Sequence, residues 1–130
     1  MTFSIPQLLA VMAGGAAGAA GRYLVMLGVG HWFGNGFPYG TMVVNIIGSF
    51  MLGAFVEASA LAWSPSPEVR ALIVIGVLGA FTTFSTLSLD VYVLWSRGDL
   101  AATVAYVAGL LVLGVGALVA GLWCVRMVVS

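Results

Sequence analysis

The chain has 130 residues, four basic and four acidic side chains, 62% hydrophobic residues and only 6% charged ones, with a mean hydropathy of +1.18. A soluble domain carries about 25% charged residues, and so small a chain exposes much surface for its core. The composition therefore excludes a soluble enzyme, a nucleic-acid binder and a disordered tail, and the lone Cys124 excludes an internal disulfide or a cysteine-based metal cluster.

Apolar stretches of about twenty residues mark helices able to cross about 30 Å of hydrocarbon, and the chain contains four of them, which predicts an all-α membrane protein of one domain, residues 1–130. The first runs over 6–29 and carries Arg22. Its alanines would suit a signal-peptide cleavage site, but no basic residue precedes the apolar run and the run continues past Arg22, against that reading. Gly34-Asn35-Gly36 and Pro38 mark the first turn, where His31 reads as a loop residue.

The second span, 41–62, repeats a polar residue every fourth position: Thr41, Asn45, Ser49, and further on Glu57. That spacing keeps them on one slowly drifting stripe. A carboxamide at mid-membrane needs partners for two donors and an acceptor. Asn45 either joins two helices or presents its NH2 to an anion.

Ser64-Pro65-Ser66-Pro67 breaks the chain before the third span, 71–95. The middle of that span reads Gly79-Ala80-Phe81-Thr82-Thr83-Phe84-Ser85-Thr86-Leu87-Ser88, a poor sequence for a continuous helix. The run predicts a third helix broken mid-membrane near 79–83. The alternative is an unbroken helix whose hydroxyls bond back to its own carbonyls. The fourth span covers 100–127 and contains Cys124, read as a small packed hydrophobe. Trp32, Trp63, Trp95 and Trp123 fall near predicted ends, as interfacial aromatics do. Pairs such as Gly14 with Gly18 and Ser49 with Gly53 suit close helix packing in lipid.

Arg70 and Arg126 lie toward one side of the bilayer, Arg22 and Arg97 toward the other. Orientation is set by such residues, and the tie permits insertion both ways round, hence an antiparallel, dual-topology homodimer. No charged residue sits at the centre of any span. The lining on offer is hydroxyls, an amide and aromatic edges, whose positive rims attract anions weakly. Such a lining suits a small, strongly hydrated anion.

Phe37-Pro38-Tyr39-Gly40-Thr41 followed by Asn45 and Gly48, then Gly79 to Thr86, with Gly21-Arg22 upstream, closely resemble the Fluc (CrcB-type) fluoride channels over essentially the whole chain. The resemblance implies a passive, fluoride-selective channel in a bacterial inner membrane, formed by an antiparallel homodimer with two pores. It implies that such a multi-pass protein lets out cytoplasmic fluoride. It also implies a structural sodium ion at the dimer centre, held by the backbone carbonyls of Gly79 and Thr82. On the same basis Asn45, Phe84, Ser85, Thr86, Leu87, Thr41 and Tyr106 belong to the fluoride pathway, and Arg22 and Asp90 to the vestibule. Three positions depart from the family pattern. Leu87 stands where a second pore phenylalanine is usual, Asp90 where a glutamate is usual, and no Ser or Thr lies between Tyr106 and Trp123. The rival readings are a proton-coupled exporter of the small multidrug-resistance type, for which Glu57 is the sole candidate carboxylate, and a non-transporting assembly subunit.

Overall fold

A computed structural model describes residues 2–129, and all regular structure among them is helical. Four helical rods are long and apolar enough to cross a membrane: Ile5–Phe33, Tyr39–Leu61, Pro67–Ser96 and Leu100–Val129. The first is α1, the second α2 and the fourth α6. The third is composite: a short α3 (Pro67–Arg70), a π-helical segment (Ala71–Leu78), α4 (Gly79–Phe81), a non-helical stretch, and α5 (Ser85–Ser96).

Local chemistry fixes the ends. Ser4 caps α1, its hydroxyl accepting from the Gln7 amide. Ser66 caps α3 in the same way, accepting from the Val69 amide, with Pro67 in the first turn, where a missing N–H costs nothing. Asp99 caps α6 by accepting from the Ala102 amide. Two rods overshoot the predicted limits by four residues at one end. α1 continues to Phe33 and stops at Gly34, whose φ of +75° is the left-handed backbone that favours glycine at a helix C-terminus. His31 therefore sits on the last turn of α1, its ring edge-on to Trp32, and not in the loop. The third rod starts at Pro67, four residues before the apolar span, where Pro67 and Glu68 suit a first helical turn and Ser66 caps it.

α2 and α6 pack along their length and run parallel. Thr41 and Tyr106 share a partner at one end, and Glu57 pairs with Arg126 at the other. α1 packs on the π-helical segment so closely that a Cβ on Gly18 would meet the Val77 carbonyl. A π-turn widens the helix by one residue, and here it sits directly before the break. Few side chains are buried; Tyr106, Val44 and Thr41 are the largest that are fully enclosed. Large apolar residues such as Leu111 and Val112 stay exposed, as does Cys124. Lipid is as apolar as they are, so burying them gains little.

Candidate functional site

The third rod leaves helical geometry at Thr82, whose φ and ψ are −84° and 160°. The Thr82 amide still donates to the Leu78 carbonyl at 3.0 Å. The next amide does not continue the ladder. Thr83 N–H instead donates to Asn45 Oδ1 at 2.8 Å, and Asn45 Nδ2 donates to the Thr83 carbonyl at 3.0 Å. One carboxamide from α2 thus takes the place of the peptide group that a continuous helix would have supplied. Thr83 performs the complementary task on the far side: its Oγ1 accepts from the Thr86 amide at 3.2 Å, starting α5 as a capping hydroxyl does.

These two diversions determine which backbone oxygens are left bare. The Thr83 amide, which would have closed on Gly79, is held by Asn45, and the Thr86 amide, which would have closed on Thr82, is held by Thr83. The Gly79 and Thr82 carbonyls consequently receive no hydrogen bond from the described residues. Both residues line an open groove of about 640 Å³, together with Asn45, Phe84 and Leu87. Phe84 is 79% exposed there. α2 can come this near the break only because residue 48 is glycine; a Cβ there would run into the Thr82 methyl group.

A second cluster lies further along α5. Asp90 Oδ2 accepts hydrogen bonds from Thr41 Oγ1 at 2.7 Å and from Tyr106 OH at 2.9 Å. Both donors are almost completely buried, at 1% and 0% exposure. Between the clusters run hydroxyls: Thr83 Oγ1 lies 3.4 Å from Ser85 Oγ and donates to Thr86 Oγ1 at 3.2 Å.

The structure therefore brings Asn45, Gly79, Thr82, Phe84 and Leu87 to one groove, and Thr41, Asp90 and Tyr106 to one carboxylate. Ser85 and Thr86 sit between, just outside the groove lining. Arg22 joins neither group and makes no hydrogen bond or ion pair with the described residues. The two readings of Asn45 combine: one N–H is spent on the Thr83 carbonyl, so at most one remains for an anion. Glu57 is 6% exposed and accepts from Arg126 Nε at 2.8 Å. It is half of an ion pair at the rim of the bundle, not a lone carboxylate in a transport path.

Two contacts are not apparent from the sequence: the Asn45–Thr83 clasp and the Glu57–Arg126 pair. The first has a signal, since a predicted helix break leaves a peptide group that needs a partner, and Asn45 is the one mid-membrane amide.

Among the described residues no group of three or more His, Cys, Asp or Glu could hold a metal. The family model described as CrcB-like protein, Camphor Resistance (CrcB), matches residues 9–122. The chain is 50% identical over 124 residues to the fluoride-specific ion channel FluC of Rhodospirillum centenum, covering 95% of this chain and 98% of that one. It is 47% identical over 121 residues to the FluC of Nitrobacter winogradskyi, with 93% and 96% covered. The FluC of Hahella chejuensis is 40% identical over 125 residues, with 96% and 98% covered. These relatives are named as ion channels, not as enzymes. With the match spanning the break, the Asn45 clasp and the Asp90 cluster alike, this chain belongs to the CrcB family of multi-pass membrane proteins.

Proposed function

We propose that this protein is a passive fluoride-selective channel that works as an antiparallel homodimer in a bacterial inner membrane. The observation that carries the reading is the pair of donor-free carbonyls at Gly79 and Thr82, lying in an open groove at a mid-span break. Unsatisfied backbone at that depth is tolerated only against protein, an ion or water. A second copy laid across the groove covers it and brings a second, identical set of oxygens. The tied arginines permit that copy to insert upside down. The names of the relatives supply the ion.

The bare carbonyls suit a hard monovalent cation, which they can accept in place of hydration water. Gly79 and Thr82 would hold sodium at the dimer centre, where the ion, when bound, supplies a fixed positive charge. Everything else falls to this chain's own side chains. Phe84, exposed at the groove, offers a ring edge, and Asn45 a remaining N–H. Ser85 and Thr86 carry hydroxyls onward to Thr41 and Tyr106. As far as Thr86 each step replaces part of the water around a small anion with donors of no net charge; the hydroxyl protons of Thr41 and Tyr106 are already given to Asp90. Leu87 has no polarised edge to offer at its position. A larger anion finds no wide lumen, which selects against chloride. Fluoride that entered the cell as neutral HF and ionised would leave down its electrochemical gradient.

Purified protein in liposomes, assayed with a fluoride electrode, tests this directly. Electrogenic fluoride efflux with chloride excluded is the expected result. Ethidium efflux that depends on Glu57 would transfer the protein to the proton-coupled exporters, and the Glu57–Arg126 ion pair weighs against that outcome. Absence of any flux would make it an assembly subunit.

A further inference from the structure

Beneath the loop that joins α1 to α2 lies a smaller chamber of about 120 Å³, lined on the loop side by Gly36 and Pro38 and on the α5 side by Asp90, Val93 and Arg97. It has room for a few waters or one hydrated small anion. Asp90 and Arg97 lie about two turns apart on the same helix face, one at the inner end and one at the outer. They share the chamber without pairing: among the described residues the Glu57–Arg126 contact is the sole ion pair.

Each keeps unused capacity. Asp90 receives both of its hydroxyl hydrogen bonds on Oδ2 and, from the described residues, none on Oδ1. Arg97 Nη1 donates to the Gly36 carbonyl at 3.0 Å, and the other N–H groups of the guanidinium have no partner among the described residues. That single bond ties the guanidinium to the loop. On the other side of the loop, Phe37 packs edge-on against Tyr106, with ring centroids 5.6 Å apart. The loop is thus pinned both to the residue whose hydroxyl donates to Asp90 and to the cation beyond it.

We propose that this chamber is the outer mouth of each fluoride path and that Arg97 is its anion-binding residue. The inference rests on the reading of Thr41, Tyr106 and Asp90 as the end of the path. Fluoride at that end faces a carboxylate and must exchange protein donors for water. Arg97 offsets the carboxylate with a permanent charge and presents spare N–H donors while hydration is restored.

The test measures fluoride efflux from proteoliposomes at low and high ionic strength, set with an impermeant salt. Arg97→Gln slows efflux at low salt by about tenfold, the lower range for electrostatic recruitment, and flattens its salt dependence. Arg97→Lys keeps the salt dependence. Chemical rescue separates charge from folding. A Cβ at Gly36 meets nothing within 4 Å and its φ is not positive, so Gly36→Cys is tolerated. In a protein carrying Gly36→Cys, Arg97→Gln and Cys124→Ala, a thiol reagent that adds an ammonium group restores efflux, and one that adds a sulfonate does not. If Arg97→Gln and both adducts conduct like the parent at every salt concentration while Tyr106→Phe is slow, the path reading stands and the mouth assignment is overturned. A slow Arg97→Gln protein that neither loses its salt dependence nor responds to the ammonium adduct overturns it too, since Arg97 then only holds the loop. Tyr106→Phe at the parent rate overturns the path reading itself, and the mouth assignment with it.

Discussion

Replacing Asn45 by aspartate changes one atom and tests the centre of the mechanism. The carboxylate can still accept from the Thr83 amide, now held at 2.8 Å. It cannot donate to the Thr83 carbonyl, now 3.0 Å from Asn45 Nδ2, and it sets one oxygen against another. Leaving that carbonyl unpaired costs about 1–3 kcal/mol. The effect on an approaching anion is larger. Two like charges about 4 Å apart repel by about 4 kcal/mol at an effective dielectric constant of about 20, which corresponds to about a thousandfold in rate. Asn45→Ala loses both hydrogen bonds but adds no charge, so its efflux should fall much less than that of Asn45→Asp. Fluoride-electrode traces from liposomes of equal protein content, with gel filtration to confirm equal folding, compare the two. Equal losses would mean that Asn45 serves only to hold the break, and parental efflux from the aspartate variant would remove it from the path altogether.

The same geometry makes other changes predictable. Gly48→Ala drives a Cβ into the Thr82 methyl group, so unfolding in detergent should show a loss of about 1–3 kcal/mol, as overpacking commonly gives. Tyr106→Phe removes one of two donors to Asp90 Oδ2; with a hydrogen bond worth about 1 kcal/mol, the melting temperature should fall by a few degrees and efflux should drop several-fold. Glu57→Gln removes the charge from the partner of Arg126 and should lower the melting temperature yet leave fluoride efflux at the parental rate, an outcome no exporter driven by that carboxylate could give.

Much of the fold is legible in the residues because a membrane narrows the choices. Long apolar runs can only be helices there, so four spans emerge from hydropathy alone. The break at 82–84 is signalled by glycine, threonines and serines where a helix former would be ordinary. Its consequence is not. That Asn45 captures one diverted amide and Thr83 the next, baring Gly79 and Thr82 in turn, depends on the three-dimensional approach of α2, which Gly48 permits. Helix ends are hard to read where two signals compete. The apolar run predicts an end at 29 and the turn residues begin at Gly34; the helix runs on to Phe33 and stops at Gly34, where a positive φ supplies the terminating geometry. The π-helical segment has no sequence signal at all: Ala71–Leu78 is as apolar as any α-helix.

That widened coil gives the third span a fixed phase. Each residue added to an α-helix turns every later position by about 100°, so inserting one position between 71 and 78 with the coil unchanged would swing Gly79 and Thr82 away from Asn45, whereas deleting one while the coil tightens to an α-helix would keep their phase. Insertions at this depth should therefore inactivate the protein without unfolding it, and a single deletion that closes the π-turn should be tolerated.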